Sequence, residues 1–539
     1  MLTLPHIRSR IASLTLLLIL SSVPTTAILS AEDISLGTLV FPTSGAPEAT
    51  PDFVLGVLYL HSFEYDLAAE AFRRAQAVDS DFAMAYWGEA MTFHHSLWAK
   101  HFQQDGQNVL NRLGNTSQER AAKAPTQREK HYIRATEILF GMTEETKDLD
   151  KLERDVHYRN AMKTLHDAYP DDLEARAFYG LSVLGVGSAN RDYATYMRAA
   201  AIITPVWDAN RLHPGGAHYL IHSYDDPVHA ILGLPMARVY GEYAVGAAHA
   251  QHMTSHIYVA LGLWDDMIDA NITALNVESG KTVGEGARSR EAWHHRYWLT
   301  YGRQQQGHIE DAEVLLRTAR DYLSKSPLPR EPSYYGAMYA RYLLDTEKWS
   351  DADKWLAPTG IDIPTPHYPF ARAFSAIKLG ELEKARNFLA DIQSDGLGNP
   401  EIILAPNETA IMKLELNAML ALANGDNAKA LELAREAVVQ QTGMPFRYGP
   451  PRIPKPTAEL LGDILMELGK PDEAALAYKD QLSRSQLRTN SLLGLARATA
   501  QAGNAAESRE SYRALADIWH SADPDLPGLA EVRGRAESR

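Results

Sequence analysis

Two short runs decide the fold: Leu55-Gly-Val-Leu-Tyr59 and Ala68-Ala-Glu-Ala-Phe72-Arg-Arg-Ala75. Leu55 with Tyr59, and Ala68 with Phe72 and Ala75, recur at the three- and four-residue steps of a helix face. The small residues let two helices approach closely, while Leu, Tyr and Phe fill the space between successive pairs. The same logic recurs downstream around turn glycines. Gly307 precedes Ala312 and Leu316, Gly380 precedes Ala385 and Leu389, Gly425 precedes Ala430 and Ala434, and Gly469 precedes Ala474 and Tyr478. Gly503 follows Gly469 by one 34-residue step, with Ser508 in the alanine place. Gly262, with Ser255 and Tyr258 before it and Ala274 after it, belongs to the same series. Strand-like alternation is nowhere sustained, so the expected fold class is all-α, an α-solenoid of irregular helix–turn–helix repeats.

These residues resemble the tetratricopeptide repeat (TPR) superfamily, whose unit of about 34 residues is a helix–turn–helix. The resemblance implies that the first helix of each unit lines a concave, ligand-binding groove. Spacing between units is uneven, which implies insertions. The expected organisation is N-terminal repeats over 51–102, an inserted polar segment over 103–130, and helical repeats with a histidine-rich groove over 131–280. Further repeats follow over 290–440, then a proline-rich linker over 441–456 and a C-terminal pair over 457–520. The linker contains Pro-Phe-Arg-Tyr-Gly-Pro-Pro-Arg-Ile-Pro-Lys-Pro, which cannot be helical.

Arg8 and Arg10 precede an apolar run from Ile11 to Val23, followed by small and polar residues with candidate cleavage after Ala27 or Ala31. This is the layout of a secretory signal peptide over 1–31, and the run is too short to span a bilayer. The chain contains no cysteine, which excludes thiolate metal sites and c-type haem. Together these features predict a periplasmic or secreted protein with no membrane insertion after signal cleavage. Net charge is −15, becoming about −17 without the leader. Basic residues form no stripe, so nucleic acid is not an expected partner.

The chemically richest feature is a pair of histidine doublets, His218-Tyr-Leu-Ile-His222 and His252-Met-Thr-Ser-His256, with 34 residues between equivalent members. Residues four apart share a helix face, so each doublet presents two imidazoles on one side. Twenty histidines in 539 residues predict about 0.7 such pairs by chance, so the repeat-period separation is the unusual part. On the TPR resemblance, His252 and His256 flank the small Ser255 at groove-facing positions, with His249 one turn earlier. His218 and His222 fall at the same places one unit back, although Ile221 occupies the small position there. Asp225 and Asp226 follow one turn on, and the unit anchored on Gly307 would offer His294, Tyr297 and Tyr301.

The metal reading takes His218, His222, His252 and His256 as ligands, with His249 and Asp225 or Asp226 as further candidates. Neutral imidazoles with an oxygen donor suit a divalent ion, zinc, copper or iron foremost, and ligand type alone does not choose among them. The alternatives are a polar groove in which histidines hydrogen-bond backbone and carboxylates, or metal-free acid–base chemistry. Tyr219 and Met253 stand where a zincin protease needs glutamate, and no phosphate loop or Gly-x-Ser-x-Gly elbow occurs. Two functions follow. One is an exported solenoid whose groove holds a metal for metal handling or metal-assisted chemistry on a small substrate. The other is a scaffold that binds a protein or peptide partner without catalysis. No general base is uniquely placed, so the residues leave open whether the protein is an enzyme.

Overall fold

Thr50–His61 and Tyr65–Val78 form the first helical hairpin, with Phe53 and Phe72 fully buried between its helices. The residues described by the computed structural model are 36–98, 100–188, 191–281, 290–325, 327–392 and 406–537. The leader expected over 1–31 lies outside the described residues. Within them twenty-five α-helices follow one another, most of them in contact with the next helix along the chain. The β-structure among the described residues is one antiparallel ladder, His94–His95 against Lys100–His101. No helix of the described residues is long and apolar enough to cross a membrane.

The polar stretch 103–130 carries helices of its own, Gln103–Leu113 and Ser117–Ala122, and the start of Gln127–Leu139. Thr116 with Glu119 and Thr126 with Glu129 form reciprocal capping boxes, which satisfy orphan N–H groups at the helix starts. Its polarity is that of exposed helix faces, while Val109, Leu110 and Leu113 stay in the core.

Contacts between distant parts of the chain are numerous. The backbone N–H of Thr38 donates to the Leu212 carbonyl at 2.9 Å, and that of Asp523 donates to Gly307 at 3.1 Å. The Trp264 indole N–H donates to the Leu487 carbonyl at 3.2 Å, and the Gln486 amide donates to Pro227 at 2.8 Å. Gly262 ends the Ala248–Leu261 helix in the left-handed region at φ 68°. A Cβ there would lie 2.5 Å from that of Leu487 and 2.6 Å from the Gln486 carbonyl oxygen, so both the turn and the close approach require glycine.

The C-terminal repeats are tied in electrostatically as well. Arg488, fully buried, donates to Asp345 at 2.6 Å and to both carboxylate oxygens of Glu459 at 2.7 and 3.0 Å. The proline-rich stretch folds onto the body of the repeats: the Pro454 carbonyl accepts from Arg341 at 2.9 Å and the Arg452 carbonyl from His367 at 3.0 Å.

Candidate metal centre

Three helices position the cluster: Pro214–Tyr224 carries His218 and His222, Ala248–Leu261 carries His249, His252 and His256, and Arg290–Gln305 carries His294. Pro214 opens the first helix, where its missing N–H costs nothing. The Gly216 N–H donates to the ring Nδ1 of the cap residue His213 at 3.1 Å, so the His213 proton sits on Nε2 and donates to Glu174 at 3.0 Å. His61 Nε2–H donates to the other Glu174 oxygen at 2.8 Å, and the Tyr219 hydroxyl donates to His61 Nδ1 at 2.8 Å. Burial would raise the Glu174 pKa, but His213 and His61 outweigh it and hold it at about 2. A Cβ at Gly215 would meet His61 Nδ1 at 2.4 Å, which is why that helix turn is glycine. His61, Glu174 and His213 are close enough to hold a metal, yet their hydrogen bonds already account for the ring nitrogens and both carboxylate oxygens.

The six remaining histidines are different. They fall into two groups, His218 with His222 and His249, and His252 with His256 and His294, each with one ligand atom per residue and those atoms within 4.8 Å of one another. In the second group His252 Nδ1 lies 2.8 Å from Asn271 Oδ1. The Asn271 amide is oriented by donation from Nδ2 to the Met267 carbonyl at 2.8 Å, so Oδ1 accepts and His252 Nδ1 carries the proton. His256 Nδ1 donates to Asp225 Oδ2 at 2.7 Å. In the neutral rings both Nε2 atoms therefore carry bare lone pairs, and these face each other at 3.1 Å. His294 Nε2 joins them, 2.8 Å from His252 Nε2. One proton satisfies a single contact of this kind, whereas a cation at the meeting point accepts a lone pair from each of the three rings. Donation of the rear N–H to a carboxylate, amide or backbone oxygen is the support that metal-binding imidazoles receive.

The first group repeats the pattern. His218 Nδ1–H donates to the His61 carbonyl at 2.6 Å, leaving its Nε2 lone pair 3.1 Å from His222 Nε2. His249 Nε2 is buried with no hydrogen-bond partner. Burial, the leading cause, lowers the pKa of His218 to about 3 and those of His222, His249 and His252 well below the usual value. For the last three, neighbouring histidines push in the same direction. These four rings are thus neutral at physiological pH, the form that binds metal.

Aromatic rings wall the cluster. Phe63 stands 4.4 Å from the His218 ring, 5.9 Å from His222 and 5.5 Å from His249, centroid to centroid. It does so from a left-handed backbone at φ 56° just past the end of the Thr50–His61 helix, a conformation costly for a bulky residue. Trp298 lies 4.8 Å from His252 and 4.5 Å from His256. Tyr448, from the proline-rich stretch, lies 5.0 Å from His256. Arg191 covers the Tyr448 ring at 4.7 Å and donates to the Asp225 carbonyl at 2.7 Å.

The doublets therefore do not pool four imidazoles around one point. Each pair converges within its own helix and is completed by a histidine from a later one. Asp225, a candidate ligand in the sequence, stands behind His256 on the Nδ1 side. Asp226, the other carboxylate candidate, is turned away: its Oδ1 accepts from the Val228 and His229 N–H groups at 2.8 and 3.0 Å, and its Oδ2 lies 2.8 Å from His229 Nδ1. Phe63, Asn271 and Tyr448 were not anticipated. Only the proline-rich run around Tyr448 offers a signal, and it reads as a linker.

Residues 460–527 match the family model described as tetratricopeptide repeat. No curated protein sequence matches the chain. Among solved structures, the Cut9–Hcn1 hetero-tetramer of APC/C is similar at 12% identity and a TM-score of 0.31, over 91% of this chain and 76% of that one. Human IFIT1, solved as a dimer with m7Gppp-AAAA, is similar at 12% identity and 0.34, over 89% and 91%. A tetratricopeptide repeat protein from Parabacteroides merdae is similar at 12% and 0.29, over 54% of this chain and 99% of that one. Scores at this level carry no argument about activity. The chain thus carries tetratricopeptide repeats, matched over its C-terminal helices and set within an all-helical repeat fold.

Proposed function

We propose that this protein is a metal-binding repeat protein whose histidine cluster holds a divalent transition-metal ion. The observation that carries the reading is the convergence of His252, His256 and His294 Nε2 atoms while His252 and His256 commit their Nδ1 protons to Asn271 and Asp225. Three neutral imidazoles suit zinc, copper or iron. Three protein ligands leave a coordination position at which a bound ion can activate water or polarise a small substrate. Trp298 and Tyr448 would limit solvent at that position. The reading takes the chain as exported, on the N-terminal sequence alone, and N-terminal sequencing of the secreted or periplasmic protein should find cleavage near Ala27 or Ala31.

The test is elemental analysis of the purified protein before and after reconstitution with zinc, copper and iron salts. A stoichiometric ion that disappears in His252→Ala/His256→Ala supports the proposal. A chain that stays metal-free after reconstitution, with unchanged thermal stability on adding metal, returns the groove to peptide or protein recognition without chemistry.

A further inference from the structure

The two histidine groups are neighbours: the His222 and His256 rings lie 6.3 Å apart, and the Ala248–Leu261 helix contributes to both. His249 completes the first group from one end of that helix, while His252 and His256 begin the second one turn further along. Both have an Nε2–Nε2 approach of 3.1 Å within an HxxxH pair. Each has an Nδ1–H anchored on a fixed oxygen, the His61 carbonyl in one and Asn271 and Asp225 in the other. Each has an aromatic wall of its own, Phe63 over the first and Trp298 over the second. A groove that needed one ion has no physical reason to build this arrangement twice, side by side and buried.

We infer that the cluster is a two-ion centre, one divalent ion held by His218, His222 and His249 and a second by His252, His256 and His294, bridged by a small oxygen anion. This rests on the metal reading above and deepens it. The bridging ligand follows from charge. Six imidazole donors bring no negative charge, so two divalent ions in a buried, aromatic-walled space are compensated only in part by the Asp225 carboxylate behind His256. Hydroxide derived from water is the smallest complement and spans two adjacent ions. The carboxyl-rich donor sets of di-iron bundle sites are absent from these six positions, and all-imidazole ligation favours copper or zinc over magnesium, calcium or manganese.

The full chain is stripped with chelator and titrated with Zn(II) and separately with Cu(II). Two ions per chain are expected, falling to one in His218→Ala/His222→Ala and to one in His252→Ala/His256→Ala. With Cu(II), the bridged pair should show far less electron paramagnetic resonance intensity than its copper content. Either one-site variant should recover the full intensity of its remaining ion. Where a double variant fails to fold by circular dichroism, His249→Asn and His294→Asn replace it, each removing a single outer ligand. Saturation at one ion, lost in both double variants, overturns the two-ion centre while leaving the metal reading standing. Two ions with full, independent signal intensity overturn the bridge. No binding at all removes both readings.

Discussion

On the proposed metal reading, replacing Asp225 by asparagine removes a charge that stands behind the His256 ring and should have a large effect on metal affinity. Asp225 is 1% exposed, and its Oδ2 receives the His256 Nδ1 proton at 2.7 Å. The carboxylate fixes the tautomer that leaves Nε2 free and raises the basicity of the ring. Loss of such support weakens metal affinity by about 10–100-fold, or about 1.4–2.7 kcal/mol. The same number appears in stability. At a zinc concentration 100 times the parent's Kd, binding adds about 2.7 kcal/mol to unfolding. At that concentration the variant should gain only about 0.4–1.4 kcal/mol. Competition with a chromophoric chelator reads the affinity, and urea unfolding with and without zinc reads the linkage. A folded Asp225→Asn protein that binds zinc within twofold of the parent, and is stabilised by it equally, would refute the role of Asp225 and weaken the tautomer argument.

Arg488→Ala strips the counter-charge from the buried carboxylates of Asp345 and Glu459 and should cost about 3–5 kcal/mol in chemical unfolding; a loss under 1 kcal/mol would show that water replaces the guanidinium. Gly262→Ala forces a Cβ into Leu487 and Gln486 at a left-handed φ, and should lower stability by about 2–5 kcal/mol in thermal unfolding; a neutral effect would contradict the close approach. Burial pushes the His367 pKa down to about 3 from 6.5, so the folded ring stays neutral while the unfolded one takes up a proton as pH falls below 6.5. Stability from this site is complete above pH 6.5 and is lost progressively down to about pH 3, reaching about 2 kcal/mol at pH 5. His367→Gln keeps a donor for the Arg452 carbonyl without the titration, so its urea midpoint should fall less between pH 7 and 5; identical slopes would exclude His367 as the source.

The fold was legible because much of the repeat packing is local: Phe72 packs against Gly56 of its own hairpin and Gly88 of the next helix. The doublets were legible for the same reason, since four-residue spacing fixes a helix face. What the sequence hid depends on how successive helices cross. A 34-residue period places His218 and His252 on equivalent helices but says nothing of whether their Nε2 atoms meet. They instead close on His222 and His256 within their own turns, and His249 and His294 arrive from later elements. Asp225 and Asp226 are adjacent in sequence, yet one backs the His256 ring and the other caps a turn. Phe63 could not be read at all, because nothing in the residues around it announces a left-handed backbone.

The contacts between Thr38 and Leu212, Gly262 and Leu487, and Gly307 and Asp523 alter how the molecule comes apart. An open array of repeats contacts only its neighbours, so it can fray from either end and fold from any nucleus. Here those ends are pinned to segments more than 170 residues away, which raises contact order and slows the search for the native state. Unfolding should accordingly be more cooperative than in a linear array of the same length. The Ala248–Leu261 helix, which carries His249, His252 and His256, ends at Gly262 against Leu487, so loss of the C-terminal repeats would free that end of the histidine helix.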